Sequence, residues 1–272
     1  MKIAFQGERG AYSEIAAIKY FGTNIEIIPC KTLADTFYVA ENEADFAIVP
    51  IENSIEGSVN EACDLLLITN LKIVGEIYVK IEHALISYHE NTLKDIKRVF
   101  SHPQALAQCR KFISKLNLEA IPYYDTAGSV KMLSENYIKD AAAIASKRAA
   151  ELYNMKIIAE NISDEENNFT RFIVLGKKEA KSSGKDKTSI IFATKHEPGA
   201  LYKALEEFAI RNINLTMIIS RPIKGKPWEY NFYVDFEGHI NEEKIIDCLN
   251  GLKKKTTFLK ILGSYPRTDF NY

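Results

Sequence analysis

Two residues able to handle charge and protons stand side by side in NNFTRFIVLG, residues 167–176, where a polar run ends in Thr170 and Arg171 immediately before four apolar positions. A hydroxyl can donate to or accept from a reacting oxygen, and a guanidinium can hold an anion through parallel N–H bonds. The same pair would equally suit a strand start and a surface ion pair. Uncharged polar groups recur in SHPQALAQCRKFISKL, residues 101–116. Read as a helix from Ser101 with Pro103 in its first turn, this segment puts Ser101, Gln104 and Gln108 on one face. Leu106, Cys109, Ile113 and Leu116 occupy another. Solvent faces usually carry Lys and Glu, so neutral Ser and Gln suit recognition of a polar small molecule, although Gln104 also fits a solvated face.

The elements that must position these groups are short apolar strands alternating with helix-period segments: KIAFQG, IEII, DFAIVP, RVF, EAIPY and AAIAS. That alternation predicts α/β architecture with largely parallel strands. The strands run into GERGAYS, IENSIEGS, SHPQ, YDTAGS and the turn at Ser146, all polar loops of small residues. In open α/β sheets such strand ends line the ligand crevice, and the helix starts that follow offer free N–H groups to anions. Ser58-Val59-Asn60-Glu61 has capping-box spacing. Any one loop reads as an ordinary helix cap; five together point to a site.

KKEAKSSGKDK, residues 177–187, carries five lysines and no large apolar residue, so it reads as a solvated linker and a domain boundary. Beyond it, residues 188–263 have the order strand, helix, strand, strand, helix, strand. This βαββαβ pattern predicts an antiparallel sheet with both helices on one face, a unit that often pairs edge to edge in dimers. In KHEPGALYKAL, Pro198 and Gly199 precede a helix start that could take a carboxylate. Pattern alone leaves an amino-acid sensor and a plain dimerisation module both open.

Composition narrows the function classes. Lys plus Arg is 35 against 36 for Asp plus Glu, so no broad positive field exists for nucleic acid or an anionic membrane. Residues 1–10 lack the apolar stretch of a signal peptide and no run reaches the ~20 apolar residues that span a bilayer, which predicts a cytoplasmic protein. Four dispersed cysteines form no CxxC and read as reduced, buried thiols. GERG lacks GxGxxG, no Walker lysine follows a glycine loop, and the histidines show no HxxxH spacing, so neither a nucleotide cofactor nor a metal is expected. Asp164, Glu165 and Glu166 read as solvated surface.

Taken in order, VPIENSIEGSV, SHPQALAQC, YDTAGS, AAIAS with Tyr153 following, NNFTRF, and GALYKAL with ISRPIKGKPWEYNFYVDFEGH resemble the monofunctional prephenate dehydratases with a C-terminal ACT domain. The likeness covers nearly the whole chain, and it implies the form without a fused helical chorismate mutase. It implies a catalytic region of two α/β lobes, like type II periplasmic-binding proteins, over residues 1–178, a linker at 179–187 and a ferredoxin-like ACT domain at 188–265. It further implies Thr170 as the catalytic residue, Arg171 as an anion contact, and Asn53, Ser101, Gln108, Thr126 and Ser129 as substrate contacts. Phe172 would position the pair. The implied partners are prephenate, with arogenate as the alternative substrate, phenylalanine as effector, and a second or further copy of the chain in a homodimer or homotetramer. Gly199, Ala200, Leu201, Asn214, Ser220 and Arg221 would form the effector site. One departure stands out: Ile219 occupies the position where relatives usually carry Glu, so loss of that carboxylate is expected to weaken effector binding. A non-catalytic amino-acid sensor would keep the ACT domain but would not need Thr170.

Overall fold

The computed structural model describes residues 1–269. The first lobe runs β1 Lys2–Gln6, α1 Tyr12–Phe21, β2 Glu26–Cys30, α2 Leu33–Asn42, β3 Phe46–Asn53, the short β4 Gly57–Ser58, α3 Asn60–Ile68 and β5 Lys72–Lys80. The second lobe follows with β6 Ala84–Ser87, β7 Arg98–Ser101, α4 Pro103–Gln108, α5 Arg110–Lys115, β8 Glu119–Pro122, α6 Thr126–Glu135, β9 Ala141–Ala145, α7 Lys147–Leu152 and β10 Lys156–Ala159. The chain then returns to the first lobe as β11 Phe169–Gly176. The lobe-one sheet has the order β2-β1-β3-β11-β5 and the lobe-two sheet β10-β6-β9-β7-β8. Two crossovers, residues 81–83 and 160–168, therefore join the lobes. This is the two-lobed α/β architecture anticipated from the sequence. The sheets are mixed rather than largely parallel, because β11 is antiparallel to both β3 and β5, and β6 is antiparallel to both β9 and β10.

The third sheet is antiparallel and comprises β12 Asp186–Ala193, β13 Leu215–Pro222, β14 Tyr230–Glu237 and β15 Phe258–Pro266 in the order β13-β14-β12-β15. Its helices are α8 Ala200–Ala209 and α9 Glu243–Lys255, giving the expected βαββαβ order. Both helices pack on one face through Ala204, Phe208, Ile245, Cys248 and Leu252. The other face lies on lobe one. Ile191, Tyr233, Leu262 and Tyr265 share a core with Ile51, Leu66, Ile73, Ile173 and Leu175, so two domains are welded by a single apolar layer. The lysine-rich stretch is less open than its composition suggests. Asp186 and Lys187 are buried and belong to β12, with Ser182 and Ser183 folded onto the Asp186 carboxylate at 2.8 and 2.7 Å.

The weld includes a backbone-to-backbone approach. Gly263 has φ +153, and a Cβ there would fall inside contact distance of the Ile73 carbonyl oxygen on β5. Gly263→Ala is therefore expected to lose about 1–3 kcal/mol through backbone strain and overpacking. Thermal unfolding would show it, together with faster proteolytic cleavage within residues 177–185; an unchanged melting temperature would mean that this approach contributes nothing.

Candidate active site

The cleft end of lobe one is where β3 stops and β11 starts, with Asn53 paired in register with Thr170. Asn53 is buried and its amide is fixed from two sides. Its Oδ1 accepts the backbone N–H groups of Ile55 and Glu56, both at 3.0 Å, which turns the chain sharply after β3. Its Nδ2 consequently faces the other way and donates to Thr170 Oγ1 at 3.0 Å and to Asn168 Oδ1 at 2.7 Å. Asn168 Nδ2 donates in turn to Gln108 Oε1 at 2.9 Å. His83 Nε2 lies 3.1 Å from the same oxygen, and Gln108 Nε2 reaches Glu56 Oε1 at 3.4 Å. Tyr12 closes the far end: its hydroxyl donates to the Glu82 carbonyl at 2.7 Å and lies 3.3 Å from His83 Nδ1.

This chain of polar groups links β3, β11, α4 and both crossovers. Burial holds the His83 imidazole below its ordinary pKa, despite Gln108 favouring the charged form, and pushes the Tyr12 phenol up, so both are neutral. Sequence reading anticipated Asn53, Gln108 and Thr170 but missed Asn168, His83, Tyr12 and Glu56. Asn168 had a usable signal, a polar residue two positions before the strand hydroxyl. His83 in IEHALI had none beyond its apolar neighbours.

At another junction the GERG loop reaches across to lobe two. Glu8 accepts from Tyr124 OH at 2.9 Å and pairs with Lys131 at 3.0 Å. Burial favours its neutral form, but these two partners outweigh burial and hold the carboxyl below its ordinary pKa. Ser146 caps α7 and donates to the Gly10 carbonyl at 2.6 Å, a second tie between lobes.

Several sequence-predicted positions lie elsewhere. Arg171 does not share the cleft with Thr170, because adjacent strand residues project to opposite faces. Its guanidinium is buried against the third sheet, bonded to Glu76 Oε2 at 2.7 Å, Asp235 Oδ2 at 2.6 Å and Tyr265 OH at 2.9 Å. Lys187 Nζ reaches Glu76 at 3.0 Å, so two cations meet two carboxylates in a closed, neutral cluster. The anion contact expected of Arg171 is made with protein carboxylates at the domain junction. Phe172 is buried beside Ile48, Ile77 and Val79 and supports the strand from below. Ser101 ends β7 rather than starting a helix; it is fully buried and donates to the Ile144 carbonyl at 2.6 Å. The single helix expected over residues 101–116 is instead α4 and α5, broken at Cys109. Ser129 is likewise buried and donates to the Asp125 carbonyl at 2.8 Å, while Thr126 opens α6 behind the Asp125 cap. The capping box expected at Ser58 does not form, since Val59 occupies the N-cap of α3 with no side-chain bond.

Within one chain the expected effector residues do not converge. Gly199, at φ +77, is the N-cap of α8, and Ala200 and Leu201 line a pocket of about 160 Å³ with Thr194, Trp228 and Tyr230. Asn214 precedes β13, at the end opposite Ser220. Arg221 forks onto Asp64 of α3, with both bonds at 3.1 Å. Ile219 packs against the core shared with lobe one, so its side chain serves the domain junction.

A two-lobed α/β region with a chain of amides, a hydroxyl and the Glu56 carboxylate where its lobes meet, welded to a βαββαβ sheet, has the architecture of a ligand-handling domain with an appended regulatory-type module. The family model described as prephenate dehydratase matches residues 3–180, and that of the ACT domain residues 188–254. The chain belongs to the prephenate dehydratase family and is an enzyme of that kind. It is 47% identical to the prephenate dehydratase of Methanocaldococcus jannaschii over 96% of both chains. It is 43% identical to arogenate dehydratase/prephenate dehydratase 2, chloroplastic, of Arabidopsis thaliana, over 98% of this chain and 73% of the other. The crystal structure of prephenate dehydratase from Arthrobacter aurescens in complex with L-Phe superposes with TM-score 0.90 at 33% identity, covering 98% of this chain and 90% of that one. Among the described residues no helix is long and apolar enough to cross a membrane, and no cluster of potential metal ligands occurs.

Proposed function

We propose that this is a cytoplasmic enzyme that converts prephenate to phenylpyruvate, with carbon dioxide and water released, under feedback control by phenylalanine. The observation that carries the reading is the fixed Asn53 amide, which donates to Thr170 Oγ1 and so leaves the Thr170 O–H to donate into the cleft. In the substrate the carboxylate attached to the ring leaves as CO2, its electron pair enters the ring, and the C–O bond to the ring hydroxyl breaks as aromaticity forms. The departing oxygen gains negative charge, a hydrogen bond from Thr170 at that oxygen stabilises the transition state more than the ground state, and the hydroxide takes up one proton from solvent to leave as water. The Gln108 amide would meet an oxygen of the bound substrate. Keeping Arg171 out of the cleft fits this chemistry, because a cation clamped on the carboxylate that must be lost would oppose its departure.

The arogenate reading has one observation in its favour. The Glu56 carboxylate beside Gln108 would suit an ammonium group in place of the keto oxygen. For regulation, the left-handed Gly199 turn and the exposed edge strand β13, with Ile218 48% exposed, favour an effector site completed by pairing with a second copy. One experiment tests these readings together: initial rates on prephenate and on arogenate, each with and without phenylalanine. Phenylpyruvate formation from prephenate, suppressed by phenylalanine, is the expected result. Turnover of arogenate alone would transfer the assignment, and indifference to phenylalanine would remove the feedback claim.

A further inference from the structure

The hydrogen-bond chain has a direction that can be derived from its anchored end. The Asn53 amide cannot be reversed, since its NH2 would then face the N–H groups of Ile55 and Glu56, donor against donor. Asn53 Nδ2 therefore meets Asn168 Oδ1, which turns Asn168 Nδ2 toward Gln108 and makes the Gln108 atom in the chain its oxygen. A second group lies 3.1 Å from that oxygen, His83 Nε2, and it can complete the arrangement only as a donor. On the other side of the ring the unprotonated Nδ1 faces the Tyr12 hydroxyl at 3.3 Å and accepts a share of its hydrogen, whose main bond is to the Glu82 carbonyl at 2.7 Å.

We propose that His83 is a positioning residue of this site: it is held as the Nε2–H tautomer and locks the Gln108 amide with its NH2 turned to the cleft, so that the site presents a donor to an oxygen of the substrate. The imidazole is 3% exposed and reaches the cleft only through Gln108, so it takes no part in proton transfer. A glutamine amide has two orientations of similar shape and opposite polarity; Asn168 selects one, and a second donor at the same oxygen strengthens that choice. With His83 absent, Gln108 keeps the bond from Asn168 and the contact of its Nε2 with Glu56 but loses the second donor at Oε1, so the side chain is held less tightly and its NH2 meets the substrate in a smaller part of the population. The consequence for substrate choice is that the atom opposite Gln108 must accept a hydrogen bond, as a carboxylate or keto oxygen does. This inference rests on the dehydratase reading for its kinetic arm alone.

The test has two arms. In the free protein, 15N spectra of histidine-labelled samples, with the His83 signals identified by their loss in His83→Gln, report which ring nitrogen carries the proton; Nε2–H is expected. In kinetics, His83→Met keeps the bulk but removes the donor and is expected to lower kcat/KM about tenfold, carried mainly by KM, the size typical of one lost hydrogen bond. His83→Gln restores a donor at the same reach and should return kcat/KM to within about twofold of the parent. An Nδ1–H tautomer, or equal kinetics for the Met and Gln variants, overturns the proposal. If the parent does not turn over prephenate, the dehydratase reading fails by itself, and the spectra, recorded without substrate and on unmutated protein, still decide the role of His83.

Discussion

Thr170→Ala is expected to lower kcat at least ~10²-fold while leaving KM within a few-fold of the parent, because the hydroxyl acts on the leaving oxygen and general-acid assistance of this kind is worth ~10²–10⁴-fold. Thr170→Ser keeps the oxygen that Asn53 addresses and should retain part of the activity. Loss of the β-branched methyl frees χ1, so the Ser hydroxyl points correctly only some of the time. Phenylpyruvate formation in a stopped assay reads both variants. Near-parental kcat in the Ala variant would remove Thr170 from the chemistry and leave it as a strand residue. Asn53→Ala should also reduce kcat, because the Thr170 hydrogen would no longer be steered to the cleft.

Arg171→Leu is expected to destabilise the protein by about 3–5 kcal/mol, since removing one partner of a buried ion pair strands the others. Lys187 would still neutralise Glu76, but the Asp235 carboxylate, 2% exposed, would lose the guanidinium at 2.6 Å. Adding Asp235→Asn to the Leu variant should recover part of the loss, a coupling that urea denaturation of the four proteins measures directly. The kinetics make the reading decisive. Arg171 projects away from the cleft, so folded Arg171→Leu protein should keep KM within a few-fold of the parent. A large rise in KM with unchanged stability would instead return this residue to the substrate. The same cluster shows why cutting the chain near residue 180 is a poor way to isolate catalysis: it would expose Leu66, Ile73 and Ile173 and leave Glu76 and Arg171 without Lys187 and Asp235.

The domain order and the βαββαβ unit were legible because apolar periodicity and loop composition report burial, and burial decides both. Thr170, Asn53 and Gln108 were legible as polar residues at strand ends and on a neutral helix face. The placement of Arg171 was also written in the sequence, in the strict alternation of a strand: if Thr170 faces the cleft, its neighbour cannot. The anion contact expected of Arg171 came from the family resemblance, which does not take that alternation into account. Ser101 and Ser129 were misplaced for a different reason. A small hydroxyl satisfied by one backbone carbonyl looks, in composition, the same as one waiting for substrate. His83 and Tyr12 could not be found at all, because what matters about them is a contact between chain segments 71 residues apart. The linker misled at its end, where lysine suggests solvent but Lys187 is half of a buried pair.

The hydrogen-bond chain lies on the two crossovers that join the lobes, with the Ile81 N–H bonded to the Asn168 carbonyl at 2.8 Å and the Ile162 N–H to the His83 carbonyl at 3.1 Å. Any rocking of one lobe against the other pivots there, and points on a pivot travel little while the rims travel far. Glu8 with Tyr124 and Lys131 joins the lobes away from those crossovers, so such a rocking motion would have to part it. The groups that set the polarity of Thr170 and Gln108 would be displaced least by it. A cleft that opened in this way would offer an entering substrate reactive atoms still close to alignment.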